Sequence, residues 1–241
     1  MTPANNSDPV PNRILAALPD TEYQRLLPHL KKIELRQGEI LYNPGDRIQH
    51  VYFPNSGIIS LVTLMKDGAS VEVGVVGREG MLGISIVLGD NRFPNQAIVQ
   101  IADGTMKLSA NVLNEELKRG GELRNLLQRF ILARLQQTSQ AAACNSNHRV
   151  VERLAFWLLT CQDGVGSSKL KLTQDFIAQM LGTRRAGVSE AAMTLQGLEL
   201  IKYSRGEISI LDRSGLEEFS CECYRIVREE FERLLGPNRR A

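Results

Sequence analysis

No stretch of this 241-residue chain carries the roughly 20 consecutive apolar residues needed to cross a bilayer. The opening MTPANNSDPVPNR has no signal-peptide core either, so the expected home is the reducing cytoplasm, away from membranes. Cysteine is scarce: Cys144, Cys161, Cys221 and Cys223 are too few and too scattered for a disulfide framework. Histidine is scarcer, with only His29, His50 and His148. A metal-dependent enzyme on a rolled β-domain needs clustered His and carboxylate ligands on facing strands. No two of these histidines are near each other in sequence, so no catalytic residue, resident metal or cofactor is expected. Aromatic residues make up 5% of the chain, with a single tryptophan. Trp157 and Tyr203 read as core rather than as platforms for stacked bases, which argues against single-stranded nucleic acid. Charge of either sign is not in excess: the net value is +2, so any nucleic-acid surface must be a local patch.

What the chain does have is concentrated in LTQDFIAQMLGTRRAGVSEAAMTLQGLELI, residues 172–201. Phe176, Ile177, Met180 and Leu181 repeat at helical spacing and predict one buried face. Thr173 suits the N-cap, Asp175 the first turn, and Gly182 the left-handed C-terminal position. Thr183 is the expected cap of a second helix, whose apolar positions are Val188, Ala192, Leu195 and Leu198. Ala178, Gly182 and Val188 supply a small residue, a turn glycine and a β-branched core residue in order. Two helices can then cross closely, as a helix-turn-helix requires, and the second can enter a DNA major groove. Ile201 and Tyr203, then Ile208 and Ile210, flank Arg205-Gly206 and predict a two-stranded wing. Thr173, Gln174, Arg184, Arg185, Ser189 and Glu190 are the candidate DNA contacts of the two helices, and Lys202 and Arg205 those of the wing. Lys202 and Arg205 should meet phosphate.

The rest of the chain frames that reader. Residues 1–11 are polar and Pro-rich, as disordered segments are. Helical spacing follows over residues 12–30. From residue 33 to about 108, short apolar segments alternate with turn residues, predicting a sandwich or rolled barrel. Strands are expected at 58–64, 71–76, 97–101 and 104–108, with Asp67-Gly68 as a hairpin turn. A long helix is expected from about 110 to 145, weakened at Gly120-Gly121. Leu123, Leu127, Ile131, Leu135, Thr138 and Ala142 form one stripe on it; Leu126, Phe130 and Ala133 form another. One stripe could lie on the barrel and the other on a second copy of the chain, or both could be buried within one copy. A helix with Val150, Val151, Leu154, Ala155 and Leu158 apolar comes next, then a loop at 163–168. One terminal helix is expected over 213–235.

The segments IELRQGEILYNPGD and VYFPNSGIISL, followed by LTQDFIAQMLGTRRAGVSEA, resemble the Crp/Fnr family of bacterial transcription regulators. The resemblance runs from about Asn12 to the terminal helix. It implies an α+β chain: an N-terminal antiparallel β-roll of the cyclic-nucleotide-binding, jelly-roll type at 12–118, a long dimerisation helix at 119–146, and a C-terminal winged helix-turn-helix at 147–235. It implies a homodimer on double-stranded DNA with a two-fold symmetric operator. RNA polymerase is a further partner for an activator, and no patch for it is legible. Family members that read a guanine-rich half-site carry an arginine, a glutamate and a second arginine at positions that are Arg185, Ala186 and Glu190 in this chain. The docking mode therefore carries over and that operator sequence does not.

The same resemblance bears on the effector. Nucleotide-binding members hold the cyclic phosphate with a Gly-Glu-Leu turn and, about ten residues on, an arginine followed by a small residue. In this chain Gly80, Met81, Leu82 and Gly83 occupy the turn, and Asn95, Gln96 and Ala97 the arginine segment. Met81 cannot take a ribose hydroxyl and Asn95 carries no charge, so cyclic AMP is not the expected effector; Glu79 and Arg92 lie near enough to suggest a shifted alignment. Another effector is not identified. Iron–sulfur members carry a cysteine cluster near the N-terminus, and this chain has none before Cys144. Cys144 and His148, four apart on a helix, leave a redox or metal response as an alternative. Cys221 and Cys223, two apart, would point away from each other on a helix. A further alternative is a signalling module whose roll acts on a protein partner.

Overall fold

The computed structural model describes residues 12–66, 70–102 and 104–236. The expected disordered segment 1–11, the Asp67-Gly68 turn and the terminal Arg239-Arg240 lie outside them. Two short helices lead in, α1 (Arg13–Ala16) and α2 (Asp20–Leu26). The Asn12 side chain caps α1 by accepting from the Ile14 and Leu15 amides, and its own amide donates to Pro54 and Gly80 carbonyls. A buried amide so fully bonded ties the start of the chain to the roll.

The roll consists of two antiparallel sheets. β1 (Lys31–Glu34), β7 (Gly104–Ser109) and β3 (His50–Pro54) form one, in the order β1-β7-β3. β2 (Ile40–Tyr42), β6 (Gln96–Ile101), β4 (Ile58–Leu64) and β5 (Ser70–Val76) form the other, in the order β2-β6-β4-β5. β4 and β5 pair as the expected hairpin, with Leu64 opposite Ser70. Val51, Phe53, Ile59, Val99 and Leu108 are buried between the sheets. β1, β2 and β3 are too short to announce themselves by alternation, and they were legible only as punctuated segments.

The long helix breaks where two glycines weaken it. α3 (Ala110–Arg119) stops at Gly120, and α4 (Glu122–Asn147) starts after Gly121, whose φ of 105° favours glycine. The Glu22 carboxylate then accepts from the Glu122 and Leu123 amides, satisfying two free donors at the start of α4.

α5 (Val150–Val165) continues through the expected loop at 163–168 as far as Val165 and ends at Gly166. Gly164 lies inside it and packs on Ile58 of the roll; a Cβ on Gly77 would come within 2.8 Å of the Gly164 backbone. α6 (Gln174–Leu181) and α7 (Arg185–Gly197) follow. β9 (Ile201–Ser204) and β10 (Glu207–Ile210) make the wing, joined by β8 (Lys169–Lys171) in a sheet of order β8-β10-β9. The wing is therefore three-stranded rather than two, because the chain entering α6 pairs its three residues with β10. The expected single terminal helix is two, α8 (Arg213–Phe219) and α9 (Cys223–Leu235), separated by a turn at Ser220. No helix among the described residues is long and apolar enough to cross a membrane.

Candidate functional site

The reader begins with Thr173, whose hydroxyl accepts from the Phe176 amide and caps α6. Ile177, Ala178, Met180 and Leu181 bury its inner face, and Gly182 ends it at φ 58°, ψ 40°. The Thr183 amide closes the turn on the Ala178 carbonyl. The cap of α7 is Arg184 rather than Thr183, one residue later than expected, and no side chain completes it. Val188, Ala192 and Leu195 are buried as predicted, whereas Leu198 is half exposed because α7 ends at Gly197.

What α7 turns outward is the candidate nucleic-acid face. Arg184, Arg185, Ala186 and Glu190 are exposed, and Ser189 is half-buried. Arg185 Nε stands 3.6 Å from Asp175 Oδ1, both side chains mostly in solvent. Such a pair is worth little and is readily exchanged for a stronger acceptor. Ser189 donates to Gln174 Oε1 at 2.8 Å, so these two candidates act as a unit that braces α6 against α7. Met193 is 62% exposed on the same face. Sequence reasoning missed it; its place one turn beyond Ser189 was the available signal. A thioether there offers an apolar contact of the kind that reads a thymine methyl.

In the wing, Lys202 and Arg205 are exposed. Arg205 and Gly206 have φ 49° and 79°, the geometry of a two-residue turn that matches strand twist. The turn lifts Arg205 to the tip. Lys202 lies opposite Ser209 on the paired strand, away from the buried Ile201 and Ile208.

The dimer stripe divides along the helix. Leu123 and Leu127 are fully buried and Ile131 nearly so, while Leu135, Thr138 and Ala142 are exposed. Leu126, Phe130 and Ala133 are buried as well. Both apolar stripes are thus buried within one chain as far as Ile131, so Leu123, Leu127 and Ile131 do not form an outer face. α9 provides the second side: Val227, Phe231 and Leu234 enter the roll's core, and the Phe231 ring meets Phe130 with centroids 6.2 Å apart. An outward row begins at Leu132 and runs through Leu135, Ser139 and Ala142, with Leu132 49% and Leu135 62% exposed.

At the effector turn, Met81 and Leu82 point into the core with 0% and 1% exposure. Phe130 seats its ring so closely on Gly80 that any Cβ there would meet it at 2.2 Å. Asn95 donates to Thr63 Oγ1 and Gln96 to Asn43 Oδ1. Arg92 is exposed and donates to the Gly45 carbonyl. None of these residues lines the cavity found beside the turn. That cavity, of about 670 Å³, lies between the roll turn Gly77-Arg78-Glu79, α5 and α9. Arg213 and Asp163 on its wall pair at 2.9 Å.

Cys144 and His148 do come together, and Cys221 and Cys223 join them. The expectation that Cys221 and Cys223 point apart assumed an unbroken helix; the turn at Ser220 removes that constraint.

A model of the Crp-like helix-turn-helix domain matches residues 152–219, and a model of the cyclic nucleotide-binding domain matches residues 32–115. A global nitrogen regulator from Nostoc sp. strain PCC 7120 is 23% identical over 184 residues, covering 72% of this chain and 82% of the relative. The structure is similar to FixK2 from Bradyrhizobium japonicum, with a TM-score of 0.68 at 16% identity over 80% of this chain and 98% of that one. A transcriptional regulator of the CRP/FNR family from Thermus thermophilus gives a TM-score of 0.61 at 22% identity, over 79% and 98% of the two chains.

Proposed function

The chain belongs to the Crp/Fnr family of transcription regulators, and from that premise we propose that it reads a two-fold symmetric operator as a homodimer, without cyclic AMP. The observation that carries the DNA reading is the outward face of α7, where Arg184, Arg185, Glu190 and Met193 stand exposed beside Lys202 and Arg205 of the wing. An arginine at the start of a recognition helix reaches guanine O6 and N7 together, and the wing cations neutralise phosphate.

Dimerisation is supported by Leu132 and Leu135, two large apolar side chains on a helix face that no described residue covers. In such a dimer the two α7 helices are expected to meet half-sites one helical turn (~34–36 Å) apart on a duplex. Independence from cyclic AMP is supported by the turn residues: Met81 is committed to the core, Phe130 is seated on Gly80, and Asn95 has no charge to offer a phosphate. A phosphate buried without a cation is costly. In this reading residues 12–118 are the sensory roll, 119–146 the dimer helix and 147–235 the reader.

Selection of bound sequences from random duplex DNA tests all three parts at once. A recovered palindrome, bound by nucleotide-free protein, is the expected result. Recovery of no sequence, with a flat salt dependence of binding, overturns the reading, because phosphate neutralisation gives a steep salt slope.

A further inference from the structure

Three thiols and an imidazole converge where the long helix ends. Cys144 lies in the last turn of α4 and His148 is that helix's C-cap residue. Cys223 opens α9 and Cys221 sits in the turn before it. The four donor atoms all lie within 4.8 Å of one another. Cys144 Sγ is 3.5 Å from Cys221 Sγ, and Cys223 Sγ is 3.5 Å from His148 Nδ1. A tetrahedral zinc with Zn–S of about 2.3 Å and Zn–N of about 2.0–2.1 Å holds its donors roughly 3.5–3.8 Å apart. An iron–sulfur cluster spreads its four ligands over two or more irons, so those on different irons stand farther apart than donors around a single ion. The spacing fits one ion.

The surroundings are those of a ligand set. His148 presents Nδ1 to the cysteines while its Nε2 stands 3.3 Å from Glu222 Oε2, the carboxylate partner that orients a metal-binding imidazole. Gln140 donates to Cys223 Sγ at 3.1 Å. Three thiolates and one divalent ion leave a negative charge, which a donor to sulfur stabilises. Cys161 shows the contrast: it is buried among Leu154, Leu158 and their neighbours, its sulfur accepting from Gln100 Nε2 at 3.3 Å, and it is not part of the Cys/His group. Cys144, Cys221 and Cys223 instead turn sulfur to sulfur in a cluster of their own, with Phe156 packed beside it.

We propose that Cys144, His148, Cys221 and Cys223 form a Cys3His site for one zinc-type divalent ion, which pins α9 and the turn before it to the end of α4. Binding displaces the thiol protons and draws together three segments that meet at the joint between the long helix and the reader. The ion then fixes how the reader leaves α4, a consequence that rests on the DNA reading above. Thiolate-rich tetrahedral donors select zinc over calcium or magnesium.

The test uses the full chain, purified reduced and freed of metal, titrated with Co²⁺ as the probe. Expected are visible bands of tetrahedral cobalt and a thiolate charge-transfer band that saturate at one ion per chain and vanish when Zn²⁺ is added. Cys223→Ser should abolish both, and Cys161→Ser should leave them intact. Cys144→His keeps a ligand and should retain the tetrahedral bands with charge-transfer intensity reduced from three thiolates to two, which covers the case in which Cys223→Ser fails to fold. Zinc should raise the melting temperature of the wild type and leave Cys223→Ser unmoved, and zinc loading should change operator affinity roughly tenfold. Absence of tetrahedral bands, insensitivity to Cys223→Ser, or iron with inorganic sulfide in the isolated protein would each overturn the site. Unchanged operator affinity on zinc loading overturns the role at the joint alone. Failure to bind DNA in either state sinks the DNA reading, while the cobalt spectrum still decides the site.

Discussion

The indole Nε1 of Trp157 donates to Glu72 Oε1 at 2.9 Å, joining the first helix of the reader to strand β5 of the roll. Among the described residues, Glu72 Oε2 is buried without a hydrogen-bond partner. Burial therefore raises this carboxyl from the ordinary 4.5 to about 7, despite lowering contributions from Ser60, Trp157 and Arg134. The folded chain holds a proton that the unfolded chain releases between those two values. Stability from this site is full below pH 4.5 and declines as pH rises through 7, by on the order of 3 kcal/mol. Glu72→Gln keeps an acceptor for the indole and removes the titration. Its melting temperature should vary less between pH 5 and 8 than that of the wild type, and should exceed it at pH 8. Parallel curves for the two proteins across that range would refute the assignment.

The exposed row on α4 makes a prediction that the buried row does not. Leu132→Glu with Leu135→Glu should yield folded monomers in sedimentation velocity, with loss of most operator affinity, since each lies on an uncovered face. Leu127→Ala, at 0% exposure, should instead cost ~2–5 kcal/mol of stability and leave the dimer intact once folded. A wild type that sediments as a monomer at micromolar concentration and still binds a palindrome would show that this face is not used.

Specificity and affinity should separate between α7 and the wing. Arg185→Ala should relax selection at one symmetric position by ~1–3 kcal/mol, because a bidentate contact to a guanine edge is lost. Lys202→Ala should weaken all sequences alike and lower the salt slope by about one phosphate. Met193→Ala should reduce preference for thymine at a neighbouring position and leave the salt slope unchanged. Competition binding over a panel of single-base operator variants measures all three, and equal loss across the panel for Arg185→Ala and Lys202→Ala would refute the division.

The order of roll, long helix and reader was legible because each part changes the period of its apolar residues, and because Gly120-Gly121 and Gly182 stand where helices stop. Local caps were readable to within a residue: Thr173 does cap α6, while Arg184 replaces Thr183 at the head of α7. What the sequence hid was which apolar stripe would be claimed first. Leu123 and Leu127 look like a dimer seam until α9 returns from the far end of the chain and helps enclose them. The same return brings Cys221 and Cys223 to Cys144, across separations of 77 and 79 residues, which no local pattern announces. A helical period for residues 213–235 concealed the turn at Ser220, and with it the cluster. Missed strands were three to five residues long, too short for alternation to accumulate.

The roll should not take up cyclic AMP, and its own side chains are the reason. A nucleotide at the Gly80-Met81-Leu82 turn needs a polar side chain to hold the ribose and a cation for the cyclic phosphate. Met81 offers neither and is wholly enclosed, Phe130 occupies the surface of Gly80, and Asn95 is already bonded to Thr63. Arg92, the nearest cation in sequence to Asn95, is turned outward to the Gly45 carbonyl. Admitting the ligand would mean moving Phe130, and a truncated core phenylalanine costs ~3–5 kcal/mol. Isothermal calorimetry with cyclic AMP and cyclic GMP should therefore give no saturable heat, and operator affinity should be the same with and without either nucleotide. Micromolar binding that disappears in Arg92→Ala would show that the turn rearranges around a phosphate after all.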